Sequence, residues 1–340
     1  MLEWSGVFTM PDGKGKALAM PYIAAAILLT AAIALPSCAG PADGGPMRVS
    51  VAAIKGPSAI GMALFLDGAA EGYDCEVYTT ADEVVPRLAK GELDIAAVPA
   101  NLSSILYANT EGGVRVIAIG TMGMTYVVER GDSVRSLADL RGKVVYAGFK
   151  GKSPEFDLYH ILMGNGIDPE GDLTIEWKSE HSECVAALSA VDGAVAVLPQ
   201  PFAAAALMAD GEARIAVDLN AEWDKLQSAS GAPFPLVTGV VVVRAGFADE
   251  WPELVSEFLD LYKESVRMVA SDPGWAAAAV AAKGVFPEDL ALAAIPLCNV
   301  TFVEGSEMKE GLGGYLGILY RLNPQSIGGA LPGDDFYHIR

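Results

Sequence analysis

The stretch Lys143-Val-Val-Tyr-Ala-Gly-Phe-Lys-Gly-Lys-Ser-Pro154, with its closing phrase Gly193-Ala-Val-Ala-Val-Leu-Pro-Gln-Pro201, decides the fold, because the chain has a counterpart to it upstream. The counterpart opens Arg48-Val-Ser-Val-Ala-Ala-Ile-Lys-Gly-Pro-Ser58 and closes Gly91-Glu-Leu-Asp-Ile-Ala-Ala-Val-Pro-Ala-Asn101. Each copy starts with an apolar strand that runs into a Lys/Gly/Ser/Pro loop and then a helix. Each ends with small apolar residues that stop at a proline, Pro99 or Pro199. Proline has no N–H to give to a ladder, so it marks a strand's end. Two copies are too few for a solenoid and predict two similar α/β lobes.

The strands between these marks alternate with helical patterns. Residues 48–54, 75–79, 94–98 and 114–120 read as strands, with helices over 59–70 and 82–89 and a short one after Asn101. Such alternation predicts a parallel, doubly wound sheet. Ser58, Asp82 and Asn101 are the expected helix caps. In the second copy, strands are expected over 173–178 and 193–198, with helices over 155–163, 182–190 and 202–208. The β-branched run over 236–243 reads as a strand returning to the first lobe, and the remainder as helical. Apolar positions Leu254, Val255, Phe258, Tyr262, Val266 and Val269 follow helical spacing.

The chain has 340 residues, 52% hydrophobic and 19% charged, which is globular composition with room for about two domains. Its formal charge of -20 argues against a nucleic-acid partner, whose phosphates would be repelled. At the N-terminus Lys14 and Lys16 precede the apolar run Tyr22-Ile-Ala-Ala-Ala-Ile-Leu-Leu-Thr-Ala-Ala-Ile-Ala-Leu35, then Pro36-Ser37-Cys38. A basic start, an apolar run too short to span a bilayer and a small-residue exit make a secretory signal. Residues 39–46 are rich in Gly and Pro and read as a tether. Cys75, Cys184 and Cys298 lack metal-ligand spacing, so neither a metal nor a cofactor is expected.

The cysteine after Leu35-Pro36-Ser37 resembles a bacterial lipoprotein box, which implies lipidation of Cys38. The box, the duplicated lobes, the connector Ser136-Leu-Ala-Asp-Leu-Arg-Gly-Lys143 and the phrase Val195-Ala-Val-Leu-Pro-Gln-Pro201 together resemble the substrate-binding lipoproteins of ABC importers, nearest to the nitrate/sulfonate/taurine and thiamine-precursor-like group. That resemblance implies the periplasmic-binding-protein type II fold: two α/β lobes joined by two crossing strands. It divides the chain into a signal at 1–37, a tether at 38–46, one lobe from 47–124 with 238–340 and a second from 125–237. It implies a monomer on the outer face of the membrane that traps a small ligand by hinge closure and passes it to a permease driven by an ATPase. Members often carry Glu where this chain has Gln200.

Open α/β sheets bind ligands at the carboxyl ends of their strands, near helix N-termini. That rule selects Gly56, Pro57, Ser58, Pro99, Ala100, Asn101 and Ser103 on one side, and Lys150, Lys152, Ser153, His181 and Gln200 on the other. The crossings add Thr121, Met122 and Thr238. Helix N-termini and lysines in an acidic protein point to an anionic or strongly polar ligand.

Catalytic groupings are not evident. His160 follows Asp157 by one helical turn and reads as half of a surface pair. The segment Gly148-Phe-Lys-Gly-Lys-Ser153 lacks the glycine spacing of a phosphate-binding loop. An enzyme on the same fold, and a ligand-sensing lipoprotein without a transporter, stay open as alternatives.

Overall fold

The computed structural model describes residues 48–340 except position 232. The signal, Cys38 and the tether lie outside the described residues. Two mixed α/β sheets make up the described chain.

The first sheet opens with β1 (Val49–Ile54), α1 (Pro57–Gly61), α2 (Ala63–Leu66), β2 (Tyr73–Tyr78), α3 (Ala81–Lys90), β3 (Ile95–Pro99), α4 (Ala100–Asn109) and β4 (Val114–Met122). Small apolar side chains bury most of β1 and β3, as a strand covered on both faces requires. The helix expected over 59–70 is two short ones. A Cβ on Gly61 would lie 3.0 Å from the Tyr262 hydroxyl and 3.3 Å from Val300, so tertiary packing sets the chain's path there. The caps also differ from expectation. Gly56, at φ 151°, precedes α1, and the Ser58 hydroxyl donates to the Ile54 carbonyl instead. Thr80 rather than Asp82 starts α3, its N–H donating to Glu83 Oε1 at 3.0 Å. Asn101 lies inside α4.

The chain then crosses into the second sheet: β5 (Thr125–Arg130), β6 (Val144–Gly148), α5 (Ser153–Gly164), β7 (Thr174–Lys178), α6 (His181–Ala190), β8 (Val195–Pro199), α7 (Phe202–Ala209) and β9 (Ala213–Asp218). After α8 (Leu219–Ser230), β10 (Val237–Arg244) returns to the first sheet. The strand orders are β11-β4-β10-β3-β1-β2 and β7-β6-β8-β5-β9, where β11 is Val300–Val303. The duplication is therefore topological: β2-β1-β3-β10-β4 matches β7-β6-β8-β5-β9. In each sheet the strand that arrives from the other one inserts antiparallel between its neighbours. The sheets are mixed for this reason, not purely parallel.

The matching prolines occupy matching places. Pro99 pairs with Gly239 on β10, and Pro199 pairs with Thr125 on β5. Each copy thus ends beside a crossing strand.

The rest of the chain is α9 (Ala245–Glu250), α10 (Pro252–Ser271), α11 (Pro273–Ala282), α12 (Glu288–Ala294), β11 and α13 (Gly305–Leu322). Val255, Phe258, Leu259, Tyr262 and Val269 bury the inner face of α10 at the expected spacing. Among the described residues no helix is long and apolar enough to cross a membrane.

Helix α8 and strand β11 were not expected. Asp218 caps α8 by accepting from the N–H groups of Asn220 and Ala221. Its Trp223 is fully buried, with Nε1 donating to the Phe234 carbonyl, and packs against Tyr315 of α13. One apolar core containing Val127, Trp223, Val240 and Tyr315 runs from the second sheet into the first.

Candidate ligand-binding site

The carboxyl ends of β6, β7 and β8 enclose a small cavity of about 30 Å³, enough for one or two waters. Thr125, Gly148, Pro154, Trp177, His181 and Pro199 line it. His181 begins α6 and sits against Gly148, where a Cβ would come within 2.7 Å of Nδ1. The imidazole meets Phe149 edge-on at 4.8 Å between centroids and packs on Phe202 at 5.3 Å. Its Nδ1 is buried and has no hydrogen-bond partner among the described residues. Burial pulls its pKa down to about 4, so the ring is neutral at pH 7. A neutral imidazole offers one donor and one acceptor to whatever enters the cavity.

Gln200 follows Pro199. It is 2% exposed, and its Oε1 accepts from the Ala204 N–H while its Nε2 has no partner among the described residues. Its backbone N–H donates to the Met124 carbonyl, which fixes the end of β8 to the crossing. Ser153 opens α5, whose first turn has no side-chain cap. Lys150 and Lys152 are exposed on the same loop, and Lys152 Nζ lies 5.3 Å from the Phe149 ring centre.

The first sheet presents its residues differently. Ala100 starts α4, which also lacks a side-chain cap. The Asn101 amide donates to the Ser326 carbonyl at 3.0 Å, and the Ser103 hydroxyl to the Ala100 carbonyl at 2.6 Å. Gly56 and Pro57 are buried in the turn after β1. Thr238 stitches the crossings together, with its hydroxyl 2.8 Å from the Met122 carbonyl and 3.1 Å from Thr121 Oγ1. Gly123 lies between them, its carbonyl accepting from Asn299 Nδ2. A Cβ there would run into the Asn220 side chain, so glycine suits this close approach.

The structure therefore gathers Ser153, His181 and Gln200 at one edge of the second sheet, and Thr121, Met122 and Thr238 at the crossings. It turns the polar groups of Ser58, Asn101 and Ser103 inward on the first sheet. Gly148, Phe149, Trp177 and Phe202 join the site unannounced. Gly148 ends β6 and Phe149 opens the loop after it, within the stretch that the sequence repeats, and Phe202 directly follows Pro201.

A model of the family described as ABC transporter, phosphonate, periplasmic substrate-binding protein matches residues 68–282. The chain belongs to this family. It is a periplasmic substrate-binding protein of the ABC-importer type. Solved structures share its fold. An ABC transporter protein from Parabacteroides distasonis is 21% identical, with 86% of this chain and 99% of that one covered and a TM-score of 0.73. The periplasmic aliphatic sulphonate binding protein SsuA from Escherichia coli is 16% identical, with 84% and 91% covered and a TM-score of 0.65. The desulfurization enzyme DSZB is also similar, at 16% identity, 86% and 97% coverage and a TM-score of 0.57. Among curated protein sequences, none matches this binding protein significantly.

Proposed function

We propose that this binding protein captures a small organic oxyanion, of the phosphonate or sulfonate class, between two lobes that close on it. One lobe comprises 47–124 with 238–340, the other 125–237. The observation that carries this reading is the matched placement of Pro99 beside Gly239 and Pro199 beside Thr125. Both copies of the repeat thereby bring their carboxyl edge to the crossings; α4 starts directly after Pro99, α5 starts after the neighbouring strand β6, and neither has a side-chain cap. Free N–H groups at such starts favour negative charge. The family's phosphonate description and the sulphonate carried by SsuA belong to the same oxyanion chemistry.

In this reading the oxyanion lies at the helix starts near Ser153, Lys150 and Lys152. The organic part faces the aromatic wall of Phe149, Trp177 and His181. A lipid on Cys38 tethers the monomer at the membrane, where a permease with its ATPase receives the ligand. The chain acts by binding rather than by covalent chemistry. Cys184, one turn from His181, is buried, and burial holds its thiol up at about 11, so it is not a thiolate nucleophile at pH 7.

Solution scattering with and without a saturating ligand tests closure. A smaller radius of gyration with ligand supports it, and superimposable curves contradict it.

A further inference from the structure

The cavity at the ends of β6, β7 and β8 limits what the organic part of a ligand can be. Its volume of about 30 Å³ has room for about one or two non-hydrogen atoms. Its walls do not yield easily, because Ala147, Leu158 and Val197 are at most 6% exposed and belong to the core that runs between the sheets. Pro154 lines it too, one residue on from Ser153 at the start of α5. The cavity therefore adjoins the helix start at which the oxyanion is placed above.

Inside, the chemistry is neutral and has one open bond. Among the described residues that line the cavity, Thr125, Trp177 and His181 carry the polar side-chain atoms, and none of them is charged at pH 7. A charged tip would lose its water there without gaining a counter-ion. His181 Nδ1 is buried without a partner among the described residues, a costly state unless something bonds to it. The imidazole is also firmly placed. Gly148 leaves it room, and the Phe149 ring meets it edge-on at 4.8 Å. Phe149 itself has φ 63°, in the left-handed region that favours glycine. Backbone strain in a bulky residue, at the residue that braces an unpartnered polar ring, points to a functional constraint.

We propose that the ligand is a short-chain oxyanion whose organic part has no more than two carbons and ends in a hydroxyl, and that this hydroxyl bonds His181 Nδ1 inside the cavity. The proposal rests on the oxyanion reading above and narrows it. A hydroxyl both donates and accepts, so it satisfies Nδ1 in either tautomer of the ring. A methyl tip fills the same space and leaves Nδ1 unpaired. An ammonium tip finds no carboxylate in the lining. A butyl chain exceeds the volume.

The test is calorimetric titration of the mature protein at pH 7 with ethanesulfonate, 2-hydroxyethanesulfonate, 2-aminoethanesulfonate and butanesulfonate, and with the matching phosphonates. In the series that binds, the hydroxyethyl compound is expected to bind about tenfold more tightly than the ethyl one. The aminoethyl and butyl compounds are expected to bind more weakly than either. His181→Phe, which keeps a ring and removes its polar atoms, is expected to bring the hydroxyethyl and ethyl compounds to equal affinity. Val197→Ala, which enlarges the cavity, is expected to raise the affinity for the butyl compound relative to the ethyl one. Equal wild-type affinities for the ethyl and hydroxyethyl compounds overturn the proposal and leave the oxyanion reading standing. A hydroxyl preference that survives in His181→Phe, or a butyl compound that Val197→Ala does not favour, also overturns it. No binding of any of these anions sinks the oxyanion reading together with this one.

Discussion

A Cβ added to Gly148 would come 2.7 Å from His181 Nδ1, so the absence of a side chain at the end of β6 is what lets the imidazole reach the cavity floor. Gly148→Ala is expected to displace the ring and weaken ligand binding by roughly tenfold, about 1.4 kcal/mol. Calorimetric titration checks this. Circular dichroism of the variant should match the wild type, because the clash is with one side chain and not with backbone.

His181 is expected to act as a neutral group, and the pH dependence of stability reads this out. Burial lowers its pKa from 6.5 to about 4, so between those values the folded protein binds fewer protons at this site than the unfolded chain. Its contribution to stability is present above pH 6.5 and is lost as pH falls towards 4. The Tm of His181→Gln should therefore decline less steeply than that of the wild type between pH 6.5 and 4.5. Parallel declines would mean that the ring is not buried as described.

Gln200 is nearly inaccessible, and its Nε2 is unpartnered. Gln200→Glu would place a carboxylate there with no cation to meet it. The variant is expected to lose on the order of 3 kcal/mol of stability in denaturant titration. It should also bind anions less well than the wild type. Unchanged stability and unchanged affinity together would remove Gln200 from the site's neighbourhood.

The proposed membrane attachment through Cys38 predicts a simple fractionation. In a bacterial host that processes lipoproteins, the wild type should partition with membranes and into detergent, and Cys38→Ser should not. Equal partitioning of the two would contradict the lipid anchor.

Much of the architecture was legible because the two copies repeat local signals. Small apolar strands ending at Pro99 and Pro199 set the strand ends, and the run now seen as β10 was readable as a return crossing from its unbroken valines. The insertion of β10 and β5 antiparallel was not legible, because strand neighbours are a long-range property. Helix α8 was missed although Asp218, Leu219, Trp223 and Gly231 spell a capped amphipathic helix; its polar composition hid the short apolar stripe. Asp157 read as a surface partner of His160 because both lie on one helix face. Their actual partners, Tyr315 and Gln227, come from α13 and α8. The rule that ligands gather at strand ends selected His181 and Gln200, and the structure places them just after β7 and β8. Ser58, Asn101 and Ser103 satisfied the same rule, but their polar groups bond within the first sheet's own loops and helices.

The most direct test of the account is isothermal titration of the mature protein with a panel matched in size: methylphosphonate, ethanesulfonate, an aromatic sulfonate and neutral heterocycles of similar bulk. The account predicts saturable one-to-one binding of at least one phosphonate or sulfonate, weakened by Gly148→Ala, and no binding of the neutral compounds. Binding of a neutral heterocycle with no response to any oxyanion would contradict it.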